Sequence, residues 1–224
     1  MNPSSDENMK VGGKGTWRTF DGTNGLPGPA LALLQDRNGY LWIGTWGQGL
    51  CRYDGEVFRP LTSEDGMVGD TVWGICEDGH GLLWIATEDG VSRYDGVDFV
   101  NFTVENGLVH NEANALLQDR QGRMWFATSG GVSCLEGVAG GLDLTEVRFT
   151  NYTSADGLLD DRTYALAEDG DGHLWIGTET GLSRYDGERF THFTTDDGLV
   201  DNRVQKLVVD GTDLWIGTEG GVSR

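Results

Sequence analysis

Leu41-Trp42-Ile43-Gly44-Thr45 recurs as Leu83-Trp84-Ile85-Ala86-Thr87, Met124-Trp125-Phe126-Ala127-Thr128, Leu174-Trp175-Ile176-Gly177-Thr178 and Leu214-Trp215-Ile216-Gly217-Thr218. The Trp-to-Trp steps are 42, 41, 50 and 40 residues. Five copies at near-constant spacing define an internal repeat, and a period of about forty residues is that of a propeller blade or a solenoid turn.

Four short strand candidates make up each copy. An apolar stretch ends in an acid (Val72 to Asp78, Ala115 to Asp119), and the Leu-Trp-Ile-Gly-Thr run follows. Gly-Val/Leu-Ser-Arg-Tyr comes third (Gly90 to Tyr94, Gly181 to Tyr185), then an aromatic pair such as Phe99 and Phe102 or Phe190 and Phe193. All are rich in β-branched and aromatic residues and bounded by Gly, Asp and Asn. No segment sustains a 3.6-residue period, so essentially no helix is expected. Asp-x-x-Gly precedes the first four Trp runs, and Tyr-Asp-Gly closes the third strand in three copies; both are turn signals. Four antiparallel strands per repeat predict an all-β, five-bladed propeller over residues 16–224, after a polar, Gly-rich tail at 1–15.

The strand phase carries a further expectation. Trp17 and Phe20 match a fourth strand, and Gly221-Val222-Ser223-Arg224 ends in a third. Pairing the N-terminal strand with the last blade would close the ring and remove both free edges.

Composition excludes several partners. The net charge is -20, with 16 Lys+Arg against 36 Asp+Glu, which argues against a phosphate backbone and against anionic membrane surfaces. No apolar run is long enough to span a bilayer. The three cysteines, Cys51, Cys76 and Cys134, fall in different repeats without a CxxC, so neither a disulfide framework nor a zinc site is indicated.

Asp-Gly-Leu (197 to 199), Glu-Asp-x-x-Gly-x-Leu-Trp-Ile-Gly-Thr (168 to 178) and Gly-Leu-Ser-Arg-Tyr-Asp-Gly (181 to 187) resemble the two-component regulator propeller repeat. The resemblance implies the ligand-sensing part of hybrid histidine kinases and related regulators, outside the cytoplasmic membrane, with oligosaccharides among the ligands. The β-sandwich, membrane helix and kinase that accompany such sensors are not expected in this chain.

Structural residues repeat, so a binding site belongs where copies differ. The repeated Trp set is assigned to blade-to-blade packing. Aligned on Asp-Gly-Leu, one position reads Thr71, Glu112, Arg162, Arg203, and two residues on come Trp73, Asn114, Tyr164, Gln205. Both positions are placed at one mouth of the channel, with the second-to-third-strand connections that hold Trp46, Gln48, Glu88, Asp89 and Glu179. Aromatic faces beside Arg, Asn and carboxylates suit a small polar ligand or glycan. The predicted ligand-binding set is Trp46, Trp73, Glu112, Asn114, Arg162, Tyr164, Arg203 and Gln205, with no catalytic residue and no cofactor.

The alternatives are a protein-interaction scaffold, a lyase, or a glycosidase using Glu112, Asp160, Asp161 or Asp201. A glycosidase needs two carboxylates at a defined separation, and none stands out; of four histidines only His110 falls near this mouth. The Asp169-Gly170-Asp171-Gly172 turn is acidic enough for calcium but lacks the ligand spacing of a calcium loop. A Gly-rich insertion with Asp143 and Glu146 lies between Glu136 and Phe149 and reads as a loop.

Overall fold

The computed structural model describes residues 17–136 and 147–224; the tail and most of the Gly-rich insertion, including Asp143 and Glu146, lie outside them. Among the described residues nineteen strands form five antiparallel sheets in chain order. Blade one holds β1 (Ala30–Gln35), β2 (Leu41–Thr45), β3 (Leu50–Tyr53) and β4 (Phe58–Leu61). Blade two holds β5 (Val72–Glu77), β6 (Leu83–Thr87), β7 (Val91–Tyr94) and β8 (Phe99–Phe102). Blade three holds β9 (Ala113–Gln118), β10 (Met124–Thr128), β11 (Gly131–Leu135) and β12 (Phe149–Tyr152). Blade four holds β13 (Thr163–Glu168), β14 (Leu174–Thr178), β15 (Leu182–Tyr185) and β16 (Phe190–Phe193), and blade five β17 (Val204–Asp210), β18 (Asp213–Thr218) and β19 (Gly221–Ser223).

This is the expected five-bladed β-propeller. Successive blades pack through their innermost strands, β1 on β5, β5 on β9, β9 on β13 and β13 on β17. The only helical turns among the described residues are four single 3-10 turns before the inner strands, such as Ser63–Asp65 and Val104–Asn106. Each is locked by its flanking Thr, whose amide donates to the Asp or Asn side chain three residues on, as Thr62 to Asp65 at 2.8 Å, in the manner of a capping box.

The core lies between blades, where the repeated Trp sits. Trp84 is fully buried with Phe102, Leu108, Met124 and Phe126. The Asp of Asp-x-x-Gly does two jobs. One oxygen accepts turn amides, as Asp78 does from His80 at 2.8 Å and Leu82 at 3.0 Å. The other accepts the indole N–H six residues on, at 2.8–2.9 Å for Trp42, Trp84, Trp125 and Trp175. Gly44 allows the next blade to approach, since a Cβ there would meet Val72 Cγ1 at 2.6 Å.

Among the described residues no ladder joins residues 17–20 to the last blade. The fifth sheet ends at β19, no strand includes residues 17–20, and no packing like that between neighbouring blades joins β17 to β1. Phe20 instead lies on blade one, 5.2 Å from both Tyr53 and Phe58, and Asn24 Nδ2 holds the Thr19 carbonyl at 2.9 Å. These contacts explain why the segment stays with the first blade. The outer faces are uncovered: Trp215 is 41% exposed where Trp84 is 0%.

Candidate functional site

All five inner strands carry a β-bulge at one register. The ladder shifts between Ala30 and Ala32, Val72 and Gly74, Ala113 and Ala115, Thr163 and Ala165, and Val204 and Lys206. The skipped residue is Leu31, Trp73, Asn114, Tyr164 or Gln205. A bulge re-aims the extra side chain out of the pleat alternation, so the position singled out for its variability is also the one freed from sheet packing.

Backbone bonds tie the two predicted connections together at this end. The amides of Trp46, Ser129 and Glu179 donate to the carbonyls of Pro29, Glu112 and Arg162 at 3.0 Å. In blade two the Glu88 carboxylate takes that part, accepting the Thr71 amide at 2.7 and 2.9 Å.

The eight predicted residues divide into separate groups. Trp46 and Trp73 meet edge to face, centroids 5.3 Å apart, across blades one and two. Trp46 is 58% exposed, and the Trp73 indole N–H is buried without an acceptor. Across blades four and five, Tyr164 donates to Glu179. Arg203 lies over the Tyr164 ring at 5.5 Å, pairs with Glu179 at 3.2 Å and donates to Glu219 at 2.7 Å. Gln205 donates to Glu219 at 3.2 Å. Burial, followed by the hydrogen bond to Glu179, raises the Tyr164 pKa above 10.0.

The other three stand apart. Asn114 Nδ2 bonds the Thr163 carbonyl at 2.9 Å and Ser129 Oγ at 3.3 Å, a blade-to-blade link. The Glu112 amide donates to His110 Nδ1 at 3.0 Å, and Arg162 is exposed. No described contact joins the Trp46–Trp73 pair to the Tyr164 group. Glu219 was not among the predicted residues, although it aligns with Trp46 and Glu179. Two cavities, of about 470 and 180 Å³, lie between blades four and five, and neither touches these residues.

Three of the four carboxylates weighed for hydrolysis serve turns. Asp160 and Asp201 accept the amides two residues on, at 2.8 Å, and Asp161 accepts the Ser154 amide at 2.6 Å. At the acidic turn, Asp169, Asp171 and His173 cluster closely. Both Asp169 oxygens are engaged there by the Asp171 and His173 amides, the His173 ring and the Trp175 indole.

Residues 24–47, 66–89, 107–130 and 157–180 match the two component regulator propeller family. Four segments of the chain thus carry two component regulator propeller repeats. The propeller superposes on the extracellular domains of two hybrid two component systems from B. thetaiotaomicron. One aligns with a TM-score of 0.73 at 21% identity, covering 87% of this chain and 29% of that one. The other aligns at 0.68 and 19%, covering 87% and 33%. The propeller thus spans about a third of those domains. It also superposes on virginiamycin B lyase from Staphylococcus aureus, at 0.68 and 15% identity over 88% of this chain and 66% of that. At these identities the likeness is one of fold. No curated protein matches the sequence. Among the described residues no helix is long and apolar enough to cross a membrane.

Proposed function

We propose that this propeller is a non-enzymatic recognition module, acting in a sensor outside the cytoplasmic membrane and binding a small polar ligand, such as an oligosaccharide, at its bulge-bearing mouth. The observation that carries the reading is the shared bulge register. It presents Trp73, Asn114, Tyr164 and Gln205 from otherwise equivalent strands, so the mouth differs from blade to blade while the packing beneath it repeats. The Trp46 face offers an apolar platform of the kind sugar rings stack on. Beside it the Trp73 N–H, buried and unpartnered, is a donor for a ligand oxygen. Arg203, Gln205, Glu179 and Glu219 supply further polar groups.

Binding is favoured over hydrolysis because Asp160, Asp161 and Asp201 are committed to turn amides and Glu179 to Tyr164 and Arg203. A general acid and a nucleophile need carboxyls aimed at substrate instead.

The test is a thermal-shift panel of oligosaccharides and small polar metabolites on the wild type and Trp73→Ala. A ligand specific to the folded state raises Tm with its concentration. The expected result is a saturable rise for at least one compound, absent in Trp73→Ala. If no compound shifts the wild type, or if Trp73→Ala responds equally, the reading fails.

A further inference from the structure

Just before the inner strand, blades two to five each hold one backbone amide with a side chain. Asp160 accepts the Arg162 amide and Asp201 the Arg203 amide, both at 2.8 Å. Blade two has Gly69 at the Asp position, and there Glu88 reaches across to the Thr71 amide at 2.7 and 2.9 Å. A Cβ on Gly69 would lie 2.9 Å from Glu88 Oε2, so the glycine makes room for that reach. In blade three the position is His110, whose Nδ1 accepts the Glu112 amide at 3.0 Å. Three blades therefore use a carboxylate for this task, and blade three uses an imidazole.

The exchange changes the chemistry. A backbone amide can only donate, so Nδ1 must offer its lone pair and the ring proton must sit on Nε2. A protonated imidazole carries N–H at both nitrogens and accepts at neither. Turning the ring over does not help, because it replaces Nδ1 with Cδ2, which also bears a hydrogen. The ring is confined as well: a Cβ on Gly130 would meet His110 Cβ at 2.9 Å, Cδ2 at 3.2 Å and Cγ at 3.3 Å. Protonation thus leaves the Glu112 amide without its acceptor, whereas an ionised carboxylate goes on accepting.

The held segment leads directly into the mouth. The Glu112 carbonyl accepts the Ser129 amide at 3.0 Å. Two residues on, Asn114 Nδ2 bonds Ser129 Oγ at 3.3 Å and the Thr163 carbonyl of blade four at 2.9 Å. The connection on which His110 packs, Ser129-Gly130, brings no charge. The acids on its own connection are Glu105 and Glu112, and the neighbouring connections at this end hold Glu88 and Asp89 in blade two and Asp160, Asp161 and Arg162 in blade four. Carboxylates and guanidinium keep their charge between about pH 8 and 5.5, the window in which imidazole changes its own. His110 is exposed, so protons reach it freely.

We infer that His110 is a proton-sensitive latch on the mouth. When neutral it holds the Glu112 amide and, through it, the segment that sets Asn114; when protonated it lets them go, while blades two, four and five stay capped. The bond is present at about pH 8 and is lost as pH falls. Mild acid therefore alters the mouth at blade three alone, a consequence for binding that rests on the reading of this end as a recognition surface.

The experiment follows backbone amide resonances of the nitrogen-15-labelled full chain between about pH 8 and 5.5, for the wild type and His110→Asp. Asp is the residue at the matching position of blades four and five, so the variant is expected to fold, and the dispersion of its amide spectrum checks this. In the wild type the Glu112 amide proton should move upfield as pH falls, in step with the Cε1 proton of the His110 ring, while the Arg162 and Arg203 amides stay in place. In His110→Asp the Glu112 amide should hold its position across the range, because a carboxylate now accepts it. A Glu112 amide that does not follow the His110 ring overturns the proposal. So does one that moves equally in His110→Asp. These spectra need no ligand, so the latch stands or falls separately from the recognition reading.

Discussion

The indole N–H of Trp84 donates to Oδ2 of Asp78, six residues upstream, at 2.9 Å. Both side chains are buried, Asp78 at 1% exposure and Trp84 at 0%. The Asp thus joins a tight turn on one blade to the apolar wall facing the next, and the arrangement recurs wherever Asp and Trp stand six apart.

Replacing Asp78 removes acceptors from three donors at once. Asp78→Ala strands the Trp84 N–H in an apolar wall and loosens the turn amides of His80 and Leu82. The expected cost is about 2–3 kcal/mol, read as a lower urea midpoint at unchanged slope. An unchanged midpoint would show that the carboxylate is dispensable.

Equivalent tryptophans should differ in worth by position. Trp84→Ala opens a cavity in a closed junction and should cost about 3–5 kcal/mol. Trp215 is only partly covered, and Trp215→Ala should cost about 1–2 kcal/mol on its smaller buried area. The comparison is made by urea unfolding, read as the shift in midpoint at unchanged slope.

Burial opposes ionisation of Asp169, but hydrogen bonds from the Trp175 indole, His173 and the Asp171 amide outweigh it and hold the carboxyl at about 2, below the usual 3.8. With the folded pKa depressed, the stabilisation is complete above about pH 4 and is lost as pH falls towards 2. Thermal melts between those limits should show wild type and Asp169→Asn converging at the acid end. A constant gap would contradict this.

The Tyr164 phenol should ionise above pH 10, since burial and its bond to Glu179 both favour the protonated form. Arg203 lowers that pKa, so Arg203→Ala should move the ionisation higher still. Alkaline ultraviolet difference titration against Tyr164→Phe in each background isolates this phenol. A shift downward in Arg203→Ala would mean that Arg203 does not sit over the ring.

The fold was legible because the spacing of five Trp runs and the turn residues between them are local signals. The predicted mouth was legible only in part. Comparing copies picked out Trp73, Asn114, Tyr164 and Gln205, but not the reason they differ, since a bulge exists only relative to a partner strand. Asn114 looked free for a ligand because its acceptor, the Thr163 carbonyl, is a backbone group 49 residues away. Glu219 escaped because its role depends on Arg203 folding back upon it. The closing ladder was inferred from strand phase, which carries no information about the angle between blades; packing at each junction sets that angle.

The repeated bulge separates two demands that an ordinary strand forces together. In a regular ladder, adding a residue turns every following side chain to the opposite face. Here the surplus residue is absorbed at one spot in each of five strands, and alternation resumes on either side. Exchanging Trp73 for Gln, or Gln205 for Tyr, would therefore change the chemistry of that surface without turning the flanking side chains over. Such a body can vary one position at a time.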